Sequence, residues 1–482
     1  MPSAHRASAV RPGTGESGKN TPACADHGET ASSRGRVALA EGGPGERPHK
    51  EAAGESRQVL VCKACRSCGS SQLETVLSLG NLYVSNFVNE PDGKQYPRVP
   101  LELLLCSPCG LLQLRHTTPP ASLYQRYWYK SGMNQSMRAA LADVTLKAAQ
   151  RIHLRDGDSV LDIGCNDGTL LRSYTTAGIR RVGFEPGQNL TEEARQGTDW
   201  IIPDFFHARV LGGERFKVIT SVAMFYDLDD PNQFVSDVAR SLQPDGLWVI
   251  EMHYLPSMLA RKAFDAVCHE HLEYYSLGSL EPLLERHGLM VADVETNEVN
   301  GGSFRIYVAH RDRGRASVRE GAARVEAMRA AEESQGLTSP QVYENFGRCI
   351  KRVGERLRSF LRAENARGRQ VCVYGASTKG NTLLQYFELD HTLIRSAAER
   401  NPDKWGKYTV GTWIPIVPEE VARVYAEDFL VLPWHFMKEI QAREEAFLQQ
   451  GGAFIVPLPE PRVIQAHGTR PIPGTRAAGT EE

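Results

Sequence analysis

Hydrophobic and polar positions divide the chain into segments of different periodicity. Residues 159–171, SVLDIGCNDGTLL, form the pattern of an apolar strand, a glycine-rich loop and the start of a helix. The segments VGFEP, FKVITSV and GLWVIEM continue the alternation of apolar strands with helical stretches up to residue 252. Because strands that alternate with helices build parallel sheets covered on both faces, the pattern predicts a doubly wound α/β domain.

The same order of strand, loop and helix recurs near the end of the chain. It begins at residues 370–387, QVCVYGASTKGNTLLQYF, and is followed by the apolar segments DFLVLPWHF and AFIVPLP. Between 313 and 366 charged residues and Leu, Val and Phe recur at helical spacing, which predicts two helices. These patterns predict a helical connector and a second Rossmann-like domain.

The two ends of the chain have a different composition. Residues 1–57 contain no Phe, Trp or Tyr, and their large aliphatic residues are only Val10, Val37 and Leu39. Such a segment cannot bury enough apolar surface to offset its conformational entropy, so we predict a disordered tail. The last residues, 468–482, are similar and are predicted to be a flexible tail.

Length and charge exclude some classes of function. A chain of 482 residues indicates two to four domains. The 56 basic and 58 acidic residues give a net charge of −2, which argues against a nucleic-acid partner. No apolar run reaches the roughly 20 residues of a membrane span, so we expect no membrane partner. The first 20 residues contain no apolar stretch of a secretory signal, which predicts the cytoplasm, where thiols stay reduced.

Four of the ten cysteines form two CxxC-Gly motifs, Cys65/Cys68 and Cys106/Cys109. Two residues between ligands allow a tight turn to present both sulfurs to one ion, and two such turns make the four-thiolate site of structural zinc. We therefore predict one structural Zn²⁺, with a redox CxxC as the alternative. Cys62 leaves a second pairing open, Cys62/Cys65, although the glycine after Cys68 favours Cys65/Cys68.

These segments predict an α/β protein with an N-terminal zinc-binding domain, a central Rossmann-like domain and a C-terminal second Rossmann-like domain. The expected divisions are a tail at 1–57, the zinc-binding domain at 58–120, the central domain at 121–312, the connector and C-terminal domain at 313–467, and a tail at 468–482.

The central loop indicates its ligand. It is neither G-x-G-x-x-G nor a P-loop, but Asp162, Gly164 and Gly168 follow the first strand and Glu185 ends the second. An acid at that place accepts hydrogen bonds from both ribose hydroxyls. The pattern favours an adenosine ligand without a pyrophosphate, which fits S-adenosylmethionine. The predicted cofactor-binding residues are Asp162, Gly164, Asn166, Gly168, Glu185 and Asp204.

The second loop, GASTKGN at 375–381, resembles a phosphate loop but places Lys379 before the last glycine. Backbone amides at a helix N-terminus, together with Lys379, could hold a phosphate. We therefore predict Lys379 and Asn381 as substrate-binding residues, with a purely structural turn as the alternative.

The order of these motifs resembles the deoxysugar C-methyltransferases. The resemblance covers about residues 60–465 and rests on the two CxxC-Gly pairs, YWYKSG (127–132), LDIGCNDG (161–168), HEHLEYYSL (269–277), GGSFRIY (301–307) and YGASTKGN (374–381). It implies that the central domain, 121–312, is a class I S-adenosylmethionine-dependent methyltransferase domain, and that the enzyme methylates a ring carbon of a nucleotide-linked keto sugar.

The resemblance also implies a mechanism. A base removes the proton from the carbon next to the ketone, and the resulting enolate attacks the methyl group of the sulfonium. In similar proteins the second histidine of HEH lies at the sugar and is the candidate base, which here is His271. The preceding Glu270 would orient this histidine or share the proton. His269, Tyr127 and Tyr129 complete the expected catalytic residues. Relatives commonly carry Tyr where this chain has Cys268, and often a His where it has Tyr226 and Asp227.

Two other functions stay open at this stage. The protein could methylate oxygen or nitrogen of another small metabolite, which would leave the third domain unexplained. It could instead be a zinc-ribbon binding protein with a degenerate methyltransferase fold. Balanced charge and the intact Asp162, Gly164, Gly168 and Glu185 argue against the binding protein.

Overall fold

The computed structural model describes residues 59–119, 123, 127–312 and 321–474. The predicted N-terminal tail, 1–57, lies outside the described residues. The prediction of a flexible tail from 468 is wrong for 468–471, because these residues form the last strand of a sheet and pair antiparallel with residues 462–465. Every helix among the described residues is too short or too polar to cross a membrane.

The N-terminal part is built on strands rather than helices. Its strands are β1 (Leu60–Val61), β2 (Leu73–Tyr83), β3 (Phe87–Val88), β4 (Arg98–Cys106), β5 (Leu112–Leu114) and β6 (His116–Thr117). In β4, Val99, Leu101 and Leu103 are buried and alternate with less buried residues, as expected for one face of a strand on a core. The second CxxC turn connects β4 to β5.

The central part contains a seven-stranded sheet in the order β13-β14-β11-β10-β7-β8-β9. The strands of this part are β7 (Ser159–Ile163), β8 (Arg180–Phe184), β9 (Trp200–Ile202), β10 (Phe216–Val222), β11 (Leu242–His253), β12 (Glu273–Tyr274), β13 (Leu289–Asn297) and β14 (Ser303–His310). Strand order reverses at β7, which has β8 on one side and β10 on the other. Ligands bind at such a reversal in open α/β sheets.

The C-terminal part repeats this arrangement, with the order β18-β16-β15-β19-β20-β21-β22. Its strands are β15 (Val371–Tyr374), β16 (Ala397–Glu399), β17 (Tyr408–Thr409), β18 (Ile416–Pro418), β19 (Asp428–Val431), β20 (Ala453–Val456), β21 (Arg462–Gln465) and β22 (Gly468–Pro471). Here β15 marks the reversal, because it pairs with β16 on one side and β19 on the other. The α/β architecture with two Rossmann-like sheets is thus confirmed.

Helices cover these sheets and connect the parts. They span Gln135–Ile152, Thr169–Arg172, Gln188–Ala194, Pro231–Ser241, Leu255–Ala260, Leu277–Arg286, Ala322–Gln335, Pro340–Ala366, Thr378–Tyr386, Glu419–Arg423, Met437–Arg443 and Glu445–Gln449. The 27-residue helix Pro340–Ala366 buries a stripe with spacings of three and four residues, including Phe346, Ile350 and Leu357. Its apolar face packs on the core that contains β15 and β19.

Sequence order does not decide which sheet each strand joins. The four-stranded antiparallel sheet of the N-terminal part has the order β12-β5-β4-β2, and β12 follows the HEH motif far later in the chain. Glu273 pairs with Gln113 and Tyr274 with Leu112. The HEH motif is therefore attached to the sheet that carries the cysteines.

Candidate active site

The loop after β7 closes around the carboxylate that ends β8. The backbone N–H of Asn166 donates to Oε2 of Glu185 at 2.8 Å, and that of Gly187 donates to Oε1 at 2.6 Å. Each carboxylate oxygen keeps lone-pair capacity for a further donor. Glu185 lines a cavity, so its carboxylate can receive the two hydroxyls of a ribose, as the sequence pattern predicts.

Two glycines allow this loop its shape. Gly164 and Gly168 have φ of 74° and 79°, which side-chain-bearing residues rarely adopt. A Cβ atom on Gly168 would lie 2.9 Å from the carbonyl oxygen of Ala194. Asp162, near the end of β7, is buried and accepts a 2.6 Å hydrogen bond from Thr220 Oγ1, while burial raises its pKa to about 7. Gly168 and Asp162 therefore support the loop from behind, whereas Gly164 lines the cavity.

The YWYKSG segment covers the loop. The Asn166 side chain donates to the carbonyl of Tyr129 at 3.1 Å and accepts from the N–H of Ser131 at 3.0 Å. Tyr127 is held through its backbone by both side-chain groups of Asn189. The two predicted tyrosines therefore border the cofactor loop, far from it in sequence.

The cavity has a volume of about 770 Å³ and lies where the three parts meet. Its walls include Phe87 from the N-terminal part, Glu185 from the central part and Lys379 from the C-terminal part. The predicted site residues that line it are Tyr127, Tyr129, Gly164, Asn166, Glu185, Asp204, Glu270, His271 and Lys379.

His271 and Glu270 form the titratable centre of this cavity. His271 Nδ1 lies 2.7 Å from the carbonyl oxygen of Ala266. Because a carbonyl only accepts, Nδ1 carries the proton and Nε2 is left as a base. Burial lowers the pKa of His271 to about 3 and raises that of Glu270 to about 7. A ring nitrogen of His271 and a carboxylate oxygen of Glu270 lie within 4.8 Å of each other.

Two of the predicted site residues, His269 and Asn381, make contacts outside the cavity. His269 Nε2 lies 3.0 Å from the carbonyl oxygen of Val99 in β4, which attaches it to the N-terminal sheet. Asn381 is buried and donates to the carbonyl of Asn86 at 3.0 Å. Neither lines the cavity. The structure shows only structural contacts for these two side chains, and their catalytic and substrate-binding roles stay predictions.

Sequence reasoning missed His253. It ends β11, and its Nε2 lies 2.5 Å from Nζ of Lys379. Its ring is 5.6 Å from the ring of Tyr226 and 5.8 Å from that of His271. Its position could have indicated it: His253 lies at the carboxyl end of a predicted parallel strand, and ligand-binding groups lie at these strand ends in this fold.

The four predicted zinc ligands come together. Sγ of Cys65 lies 3.5 Å from that of Cys109, Sγ of Cys68 lies 3.5 Å from that of Cys106, and all four are within 4.8 Å of one another. Zn–S bonds of about 2.3 Å in a tetrahedron place sulfurs about 3.8 Å apart, so the cluster fits the ion. Cys62 instead directs its thiol to the carbonyl of Ala64 at 2.9 Å, which settles the alternative pairing.

Comparisons with known proteins agree with this arrangement. Three families match successive parts of the chain: a zinc binding domain at 65–124, a methyltransferase domain at 133–294 and a C-methyltransferase C-terminal domain at 298–459. The C-methyltransferase NovU of Streptomyces niveus is 36% identical over 415 residues, which covers 84% of this chain and 97% of NovU. The chain belongs to the C-methyltransferase family.

Solved structures resemble a part of this C-methyltransferase. Magnesium protoporphyrin IX methyltransferase from Synechocystis PCC 6803 with bound SAM is 12% identical and covers 36% of this chain and 79% of its own, with a TM-score of 0.29. An S-adenosylmethionine-dependent methyltransferase from Clostridium acetobutylicum is 13% identical and covers 36% of this chain and 92% of its own, with a TM-score of 0.29.

Family membership and the site geometry define the activity in general terms. The protein is an S-adenosylmethionine-dependent C-methyltransferase. The loop closed by Glu185 is its candidate cofactor site. S-adenosylmethionine supplies an electrophilic methyl group there. The four-cysteine site binds a structural zinc ion, because four thiolates leave no position open for a reacting ligand.

Proposed function

We propose that this C-methyltransferase methylates a carbon alpha to the ketone of a nucleotide-linked sugar through an enolate, as a step of deoxysugar biosynthesis. The observation that carries the proposal is His271: its Nδ1–H is fixed on the Ala266 carbonyl, and the residue lines the same cavity as Glu185. A neutral imidazole beside the cofactor site is suited to removing a proton from carbon.

The low pKa of His271 affects the proton-transfer step. Desolvation disfavours the imidazolium in the free protein, so the base is neutral at every pH above about 4. Negative charge that develops on the substrate raises the proton affinity of the ring during the reaction. Glu270, whose pKa of about 7 matches the operating range, is placed to share that proton.

The cavity offers room and cations for a nucleotide-linked substrate. Lys379 stands at the start of helix Thr378–Tyr386, where Ser377 caps the helix by accepting from the N–H of Gly380 at 3.0 Å. Free backbone amides at a helix N-terminus favour an anionic group. We assign Lys379 to the substrate and, unlike the sequence pattern, leave Asn381 out.

Free thiols indicate where the enzyme works. Nine cysteines of the described residues are free, among them the four of the zinc cluster. Thiolates persist in a reducing compartment, which supports the proposal of a cytoplasmic enzyme.

A substrate panel tests the proposal. The enzyme is incubated with a set of nucleotide keto-sugars and methyl-labelled S-adenosylmethionine, and the products are analysed by NMR. We expect a new carbon–carbon bond next to the ketone in one sugar. Methyl transfer to oxygen or nitrogen, or no transfer to any keto-sugar, would contradict the proposal.

The base is tested separately with His271→Ala. We expect the chemical step to fall by about 10²–10⁴-fold, the usual contribution of a general base, with S-adenosylhomocysteine affinity nearly unchanged. The matched control is His269→Ala, which alters the same motif but a side chain bonded to β4. If the His271 variant still exchanges the alpha proton of the sugar for deuterium at the wild-type rate, Glu270 becomes the base.

A further inference from the structure

Enolate formation needs a group that holds the oxygen where charge develops, and the cavity contains several cations. Most of them already have an acidic partner. Lys130 Nζ lies 3.2 Å from Glu193, Lys404 Nζ lies 3.3 Å from Glu399, and Arg443 lies 2.9 Å from Glu419. Arg400 is exposed to solvent. An ammonium neutralised by a carboxylate stabilises a second anion poorly.

Lys379 differs from these cations in its partner. Its Nζ lies 2.5 Å from Nε2 of His253. An ammonium only donates hydrogen bonds, so His253 Nε2 accepts and its own proton sits on Nδ1. The partner is therefore an uncharged imidazole, which orients one N–H of the lysine and leaves two others for a ligand. Burial lowers the pKa of Lys379, and the nearby carboxylate of Asp265 counteracts this by favouring the ammonium form.

The position of Lys379 relates it to the proposed base. Its charge acts on both Glu270 and His271, and all three line the cavity. It enters from the C-terminal part, whereas His253 and His271 belong to the central part. Lys379 is half-buried where the two parts meet, and a cation in such surroundings acts more strongly on developing charge than one in bulk solvent.

We propose that Lys379 binds the ketone oxygen of the substrate and stabilises the enolate, and that His253 is the positioning residue that aims its ammonium. This inference rests on the proposed function. The alpha C–H bond breaks, its proton goes to His271 Nε2, and its electron pair forms the carbon–carbon double bond. The carbonyl π pair moves to the oxygen, where Lys379 holds it. When the alpha carbon takes the methyl group, the carbonyl re-forms and the cofactor leaves as a neutral thioether.

Deuterium exchange at the alpha carbon tests the role of Lys379 apart from methyl transfer. Each enzyme is saturated with S-adenosylhomocysteine and incubated with the keto-sugar that wild type methylates in the panel. We expect Lys379→Met to lower exchange by about 10²–10³-fold, the usual cost of one lost oxyanion donor, and Lys379→Arg to recover part of it. Cofactor-product affinity should stay within about twofold, which reports an intact fold.

His253 is tested by two variants with different acceptors. His253→Gln keeps an acceptor near Nε2, whereas His253→Phe keeps the ring shape without one. We expect the Phe variant to lose about 10–10²-fold in kcat with little change in KM, because misplaced groups act on the transition state, and the Gln variant to retain most of the rate. The control for Lys379→Met is Lys217→Met, which removes a lysine outside the cavity that pairs with Asp245 at 2.6 Å.

The outcomes separate this inference from the proposed function. If wild type exchanges the sugar and Lys379→Met exchanges it equally fast, Lys379 is not the oxyanion donor and the proposed function stands. If His253→Phe and His253→Gln behave alike, His253 does not position the lysine. If wild type exchanges and methylates no keto-sugar, both the proposed function and the role of Lys379 are wrong.

Discussion

At the scale of single residues, the site depends on side chains that burial forces into unusual protonation states. Asp162 and Glu270 have pKa values raised to about 7 by desolvation, while His269 and His271 have pKa values lowered to about 4 and about 3. Each shift favours the neutral form, as expected where water is excluded. A neutral imidazole is the form that can accept a proton.

Glu185→Ala tests the cofactor site. We expect S-adenosylhomocysteine to bind about 1–3 kcal/mol more weakly, because two charge-assisted hydrogen bonds to the ribose are lost. Calorimetry measures the change, and Glu192→Ala, which removes an exposed carboxylate paired with Arg195, is the control. An unchanged affinity in the Glu185 variant would place the adenosine elsewhere.

The buried His269 makes a pH-dependent contribution that can be measured. Its pKa is about 4 in the folded protein and about 6.5 in the unfolded chain. The unfolded state therefore takes up the proton first, and stability is lost as pH falls through 6.5 toward 4. His269→Gln cannot titrate but can still donate to the Val99 carbonyl. Between pH 8 and pH 5, the free energy of unfolding of the variant should rise by about 2 kcal/mol relative to that of wild type. Denaturant unfolding at each pH measures this difference. An equal pH dependence of the two proteins would show that His269 titrates normally.

At the scale of the element, the long helix Pro340–Ala366 shows how a close contact overrides helix propensity. A Cβ atom on Gly354 would lie 2.3 Å from Cδ1 of Phe387. Glycine costs a helix interior about 0.5–1 kcal/mol relative to alanine, but overpacking costs about 1–3 kcal/mol. The contact with Phe387 therefore favours glycine over alanine at position 354.

Gly354→Ala should consequently destabilise the protein by about 1–2 kcal/mol, seen as a lower denaturant midpoint. Gly347→Ala in the same helix is the matched control. Its added Cβ would meet only the end of the flexible Leu77 side chain, at 2.9 Å, so it should be neutral or mildly stabilising. A stabilised Gly354 variant would mean that Phe387 moves freely.

At the scale of the whole molecule, the zinc cluster is connected to the HEH motif through a shared sheet. The second cysteine turn joins β4 to β5, and β5 pairs with β12 immediately after HEH. The N–H of Leu114 donates to the carbonyl of Leu272 at 2.8 Å. Asn232 donates to the carbonyls of Arg66 and Ser67 in the first cysteine turn, both at 2.8 Å.

Loss of zinc should therefore reach the active site. In Cys106→Ser we expect lower zinc content, lower stability and faster hydrogen–deuterium exchange of the amides in residues 269–276, because the strand that holds them loses its anchor. Cys62→Ser is the matched control, since its thiol lies outside the cluster. Unchanged exchange at 269–276 in a zinc-free protein would show that the cluster stabilises only its own turns.

The sequence by itself determined the features that form between residues close together in the chain. Alternating apolar segments predicted both Rossmann-like sheets, and the spacing of Cys65, Cys68, Cys106 and Cys109 predicted the zinc site. These features are local. A glycine loop after a strand, or two thiols on one turn, adopts the same geometry whatever the rest of the chain does.

Only the tertiary structure decided which residues meet. The attachment of β12 to the N-terminal sheet, the diversion of His269 and Asn381 away from the cavity, and the contact between Lys379 and His253 all join residues far apart in the chain. A single sequence does not show where each side chain of a motif points. That direction depends on how the separate parts of the protein pack against each other.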